Sequence, residues 1–148
     1  MNNRRVTIKF DPTFENVDIM RSAITGICRH TFPGPELESL TTDFSLAVTE
    51  AMNNAVEHSG TKNVVIELTV TATGVVFKMM TNGVKFDPTT PASFPDLSST
   101  EEVPEGGFGR AIMKEMVDHT AYEYQNGQNI LTLEKTFYYS GKGGGDGI

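Results

Sequence analysis

The sequence predicts an α+β fold, helices packed on one face of a largely antiparallel sheet, on three observations. A stretch from Thr41 to His58 keeps a helical period, two pairs of alternating segments read as hairpins, and the remaining segments fall in the order strand, helix, helix, hairpin, loop, helix, hairpin. No internal repeat competes with this reading. At 148 residues, with 38% hydrophobic and 21% charged residues, the chain has one domain's worth of core-forming material.

Arg4 to Phe10 alternates, with Val6, Ile8 and Phe10 on one side, and Asp11-Pro12 ends that strand. Asn16 to Phe32 places Val17, Met20, Ile24, Ile27 and Cys28 at helical spacing, and Pro33-Gly34-Pro35 breaks the chain. The next helix begins near Glu36 or, for its main part, after Thr41-Thr42-Asp43, and Ser59-Gly60 closes it. Its apolar stripe is Phe44, Ala47, Val48, Ala51, Met52 and Ala55.

Lys62 to Val70 and Val75 to Met80 alternate around the turn Thr71-Ala72-Thr73-Gly74, a first antiparallel hairpin. Residues 88 to 106 carry four prolines and no period, so a long loop is expected there, of the kind that serves as a lid. Arg110 to Val117 reads as a helix. Tyr122-Glu123-Tyr124, Asn126-Gly127 and Ile130 to Leu133 read as a second hairpin, with Asn-Gly as its turn. Residues 1 to 138 are expected to form one domain, and the glycine-rich residues 139 to 148 a disordered tail.

Composition excludes several classes of function. A net charge of −7 argues against nonspecific nucleic-acid binding, and one cysteine with three dispersed histidines offers no zinc-ligand spacing. No apolar run approaches the length of a membrane span, no apolar region follows Arg4 and Arg5 as in a signal peptide, and a single cysteine suits a reducing cytoplasm. Cys28, in an apolar-patterned segment, is expected to be a core residue. The chain has no Walker-type phosphate loop and no recognisable Ser-His-Asp or Cys-His arrangement.

What remains is a set of three pieces in order. Glu50, Asn54 and His58 fall one per helical turn, in a line along the border of the apolar stripe. A carboxylate there could take a proton or orient a nucleophile, and an amide oxygen is a hard ligand suited to Mg²⁺; the alternative is a solvated helix face. Asn82-Gly83 follows a strand. Gly107-Phe108-Gly109-Arg110 opens a helix, where free N–H groups and the helix dipole favour phosphate and an arginine adds a charge-assisted contact; otherwise these glycines are hinges of the loop.

With these pieces the chain resembles the histidine-kinase-like (Bergerat-fold) ATPase superfamily, and within it the anti-sigma-factor serine/threonine kinases. The resemblance runs from about Val6 to Phe137. EAMNNAVEH is similar to the family's EAxxNAxxH box, TNGVKFDP to its DxGxGFDP adenine box, and GGFGRAIMKEMVD to its glycine box. The fold implied is a two-layer α/β sandwich with helices on one face of a mostly antiparallel mixed sheet. The resemblance assigns Glu50 as general base, Asn54 as Mg²⁺ ligand, Thr81 and Gly83 to the adenine pocket, and Gly107, Phe108, Gly109 and Arg110 to the phosphates of ATP. His58 is read as structural.

Two positions depart from the pattern. Thr81 stands where the family has the aspartate that accepts from the adenine amine, and Lys85 replaces the box's second glycine. Exchanging a charged acceptor for a neutral one weakens a hydrogen bond by roughly 1.5–3 kcal/mol, about tenfold to a hundredfold in affinity. Glu101, Glu102 and Glu105 in the loop would also repel a triphosphate if it closed over one. The function implied is an ATP-binding regulator that phosphorylates an antagonist protein on serine or threonine and binds a sigma factor, with no contact to nucleic acid or membrane. The family commonly dimerises, so a homodimer is implied as well. A non-catalytic binding module and the ATPase domain of a histidine kinase are the alternatives.

Overall fold

The computed structural model describes residues 3–87 and 113–138. In chain order the elements are β1 (Arg4–Phe10), α1 (Phe14–Thr31), a 3₁₀ turn (Pro35–Leu37), α2 (Glu38–Asn54), a π-helical turn (Ala55–Ser59), β2 (Val64–Val70), β3 (Gly74–Asn82), β4 (His119–Gln125) and β5 (Gln128–Thr136). Residues 113–116, before β4, are also helical. The expected lid at 88–106, the glycine stretch at 107–110 and the tail at 139–148 lie outside the described residues.

The strands lie in the order β1-β2-β3-β5-β4, and every pairing among the described residues is antiparallel. Pairing Ile8 with Ile66, Ile66 with Met79 and Met79 with Leu131 puts the predicted inward residues of four strands on one face. Against that face pack Val17, Ile24 and Cys28 from α1 and Phe44, Ala47, Val48, Ala51 and Met52 from α2. One layer of helices on one face of the sheet is the α+β architecture expected. The opposite face carries, in register, Thr7, Glu67, Lys78 and Thr132.

Local chemistry sets the boundaries. Thr13 caps α1 by accepting from the Asn16 N–H at 3.1 Å. The Asn126-Gly127 turn has φ of 54° and 77°, the left-handed pair that joins twisted antiparallel strands most readily. Phe137, just after β5, stacks on Phe32 at 4.7 Å and meets Phe44 edge-on at 6.1 Å, closing one end of the core.

Two expectations change. The main body of α2 starts at Glu38 rather than after Thr41-Thr42-Asp43. Pro35 opens the preceding 3₁₀ turn with its fixed φ, Thr41 is buried inside the helix, and Arg29 of α1 holds the Glu38 carboxylate at 3.0 Å. Both ionic groups are exposed, so the pair orients the helix start more than it stabilises it. The second correction concerns Glu50, Asn54 and His58. The helix widens into the π turn after Asn54, and each residue there advances by less than an α-helical step. Asn54, still in α2, is buried at 3% exposure, while His58, within the π turn, is exposed, so the three do not share one border line.

Candidate functional site

The site grows from the end of α2. Ala51 and Met52 bury the sheet-facing side of the helix, and Asn54 continues that face, so its amide is carried inside with them. Its Nδ2 is buried and has no hydrogen-bond partner among the described residues. An unpaired buried amide costs about 1–3 kcal/mol, which a core position would not retain without a use. Glu50, one turn earlier, is half-buried and lines a groove of about 650 Å³ between α1 and α2, together with Arg21, Thr25, Thr41, Ser45 and Thr49. Carboxylate and amide thus sit on neighbouring turns, one at the groove and one inside.

Beside the π turn, β3 delivers the segment from Thr81 to Asp87. Thr81 is buried at 3% exposure on the inward face of the sheet, directly across from Asn129 of β5. Gly83 has φ 138°, and a Cβ there would lie 2.3 Å from the Ser59 carbonyl oxygen, so only glycine fits. Its N–H donates to the Gly127 carbonyl at 3.2 Å, and the Val84 N–H donates to the Ser59 carbonyl at 3.1 Å. The Asn82 N–H donates to Thr61 Oγ1 at 3.0 Å, so the residues just after the π turn hold the end of β3 as well. Lys85 is exposed, as a solvent-facing lysine should be.

Asn129 locks the other side. Its Oδ1 accepts from the Phe86 N–H at 2.9 Å and from the Tyr122 hydroxyl at 2.5 Å, and its Nδ2 donates to the Val84 carbonyl at 2.9 Å. The Tyr124 hydroxyl donates to the Gly83 carbonyl at 3.0 Å. Burial holds the Tyr122 hydroxyl above its ordinary pKa. His58, leaving the π turn, lies with its ring 4.9 Å from that of Phe86.

Sequence reasoning did not single out Ser59, Thr61, Tyr122, Tyr124 or Asn129 for this site. Asn129 left one trace: it occupies an inward phase of β5, two residues before Leu131 and four before Leu133. A polar residue there must find partners, but the sequence does not show that they lie more than forty residues away.

The helical residues 113–116, which follow the glycine stretch, are fastened to the same framework. Met113 is fully buried, and the Lys135 ammonium donates to the Met116 carbonyl at 2.7 Å with the Asp43 carboxylate of α2 at 3.9 Å. Cys28 is buried in the core, where burial pushes its thiol up to about 12, so it is no nucleophile. Among the described residues no cluster of three His, Cys, Asp or Glu could hold a metal, and no helix is long and apolar enough to cross a membrane.

One helix layer on an antiparallel sheet, with the end of the α2 extension fastened to the loop after β3, is consistent with the α+β fold of a class of ATPase domains. The chain is a member of the histidine kinase-like ATPase domain family, whose profile matches residues 10–135. No protein of curated function matches it in sequence. Among solved structures it is similar to the RsbU and RsbW domains of Rv1364c from Mycobacterium tuberculosis, with a TM-score of 0.63 and 16% identity over 89% of this chain. The match covers 32% of that solved chain, and at this identity the likeness concerns the fold alone. The Acinetobacter baumannii histidine kinase AdeS aligns over 90% of this chain and 68% of its own, at 16% identity and a TM-score of 0.45.

Proposed function

We propose that the protein is an ATP-binding regulator of the anti-sigma kinase type, which transfers the γ-phosphoryl group of ATP to a serine or threonine of an antagonist protein. The observation that carries this reading is the buried Asn54 Nδ2, which has no partner among the described residues, one turn beyond Glu50 in a chain of an ATPase family. The donor set fits magnesium nucleotide. Mg²⁺ is commonly held by few protein oxygens together with phosphates, so one amide oxygen is compatible with the lack of a carboxylate cluster among the described residues. Turning the Asn54 amide about its terminal bond presents either its oxygen or its nitrogen to the unpartnered direction.

In this reading Asn54 holds Mg²⁺ through Oδ1, and the N–H groups of Gly107, Phe108 and Gly109, with Arg110, receive the phosphates. The metal supplies charge neutralisation at the phosphate oxygens. Thr81 accepts from the adenine amine, and Gly83 lets the chain pass close to Ser59, so that residues 84–87 form a fixed wall. Glu50 orients the attacking hydroxyl and takes its proton. A rigid wall suits such a site, because positioning supplies much of the catalysis in phosphoryl transfer.

The likeness of the three boxes to those of anti-sigma serine kinases supports a sigma factor and a serine-bearing antagonist as partners, a cytoplasmic setting and a homodimer. The 1–138 domain boundary belongs to the same proposal. Thr81 supports one other reading, a docking module that has lost ATP, since it removes the charged acceptor from the adenine pocket. Calorimetric titration with ATP, with and without Mg²⁺, separates the two. Magnesium-dependent binding in the micromolar range supports the kinase, and no binding up to about millimolar ATP leaves only the module.

A further inference from the structure

We infer that the free edge of β1 receives an extended, acidic segment of a partner protein as a sixth strand of the sheet. Among the described residues β1 pairs only with β2, in an unbroken seven-residue register, so the backbone groups along its other side have no strand partner there. It contains no proline and no bulge, two of the usual obstacles to strand addition.

The core runs out past this edge. Val6 has the inward phase of Leu68, its register partner, yet Val6 is 36% exposed and Leu68 is 2% exposed. Beside Val6 a groove of about 300 Å³ separates β1 from α1, lined by Arg4, Val6, Ala23, Gly26, Ile27 and His30 among others. Gly26 sits in the interior of α1, where glycine is a poor helix former, and nothing lies within 4 Å of a Cβ built there. Packing among the described residues therefore gives no reason for a glycine. The side chains of an added strand do, because Ala23 and Gly26 leave the flank of α1 open for them.

Charge selects the occupant. β1 carries Arg4, Arg5 and Lys9 and no carboxylate, in a chain of net charge −7. Glu67 of β2 lies 3.7 Å from Arg5, and Arg4 donates to Thr31, while Lys9 is exposed. A second copy pairing antiparallel about Thr7 would set Arg5 opposite Lys9, a like-charge pair. A segment with apolar residues toward the groove and Asp or Glu on the other face meets both the apolar pocket and the cations. The edge lies across the sheet from β4 and β5, so the inference is independent of the nucleotide site.

The test uses the isotope-labelled full chain, titrated by NMR with a short synthetic peptide alternating valine and glutamate, and with the same peptide carrying lysine for glutamate. Expected are shifts confined to β1 and to Ala23, Gly26 and Ile27, new exchange protection on β1 amides, and binding at least about tenfold weaker for the lysine peptide. The exposed pair Arg5→Glu and Lys9→Glu should reverse that preference, and Gly26→Leu, which fills the groove, should abolish binding while thermal unfolding stays cooperative. The inference is overturned by an absence of shifts up to about 1 mM glutamate peptide, by equal affinity for the two peptides, or by a homodimer in sedimentation that Gly26→Leu dissociates.

Discussion

The Ser59 carbonyl and the backbone of Gly83 touch so closely that a methyl group on Gly83 would come within 2.3 Å of the oxygen. That oxygen also accepts from the Val84 N–H at 3.1 Å, so the end of the α2 extension and the loop after β3 are built around one atom. Gly83→Ala meets two obstacles at once, the carbonyl and a φ of 138°. We expect a loss of about 2–4 kcal/mol in chemical denaturation. Gly26→Ala, with open space and an ordinary φ, should instead stabilise by about 1 kcal/mol.

Asn129 carries the other half of the clamp, and its three hydrogen bonds predict a graded response. Tyr122→Phe removes one donor and leaves Oδ1 still paired with the Phe86 N–H, so a loss of about 1 kcal/mol is expected. Asn129→Ala strands the Val84 carbonyl and takes the Oδ1 acceptor from both the Phe86 N–H and the Tyr122 hydroxyl, and about 2–4 kcal/mol should be lost in the same measurement. Equal losses for the two variants would show that the clamp does not act through Asn129.

The Tyr122 hydroxyl also makes a pH prediction. Burial raises its pKa in the folded protein, so the native state holds its proton at pH values where the unfolded chain, titrating near 10, has released it. The stabilising contribution is whole below about pH 10 and is lost as pH rises from there through the folded pKa. Wild-type stability measured across that window should fall more steeply than that of Tyr122→Phe.

How far the sequence reveals this arrangement depends on the range of the forces involved. Periodicity located both helices and both hairpins, because burial of Phe44, Ala47 and Val48, or of Ile66 and Leu68, repeats with the local geometry. The order of Glu50, Asn54, Gly83 and the glycine stretch was enough for the family. The π turn was not legible: nothing in AVEHS distinguishes it from another α turn, and it is the turn that separates a buried Asn54 from an exposed His58. Nor was the clamp, since Phe86 and Asn129 are 43 residues apart and only the strand register brings them together.

The buried amide of Asn54 predicts opposite signs for stability and for ligand binding. Asn54→Leu keeps the volume and removes a donor that has no partner among the described residues, so the apo protein should gain about 1–2 kcal/mol. The same variant lacks the oxygen proposed to hold Mg²⁺, and magnesium-dependent ATP binding should vanish. A variant that is less stable than the wild type would show that the amide is satisfied in the folded state. Unchanged ATP affinity would remove Asn54 from the metal site.

Lys135 offers the last prediction, on the segment that follows the glycine stretch. Its ammonium, 8% exposed, bonds the Met116 carbonyl and faces Asp43, so one β5 side chain joins the end of the 113–116 helix to α2. Lys135→Met keeps the apolar stem, which suits its place among buried residues, but supplies no donor to that carbonyl. Removing a buried charge offsets part of the loss, so global stability should change little, by about 1 kcal/mol or less. The local effect should be larger: amide exchange at residues 113–117 should accelerate several-fold more than in the strands, because that segment loses a hydrogen bond where α2 loses only an ion pair at 3.9 Å. Lys135→Arg, which keeps a donor, should restore protection. Uniform acceleration across the sheet would mean instead that Lys135 serves the core as a whole and not the helix that follows the glycines.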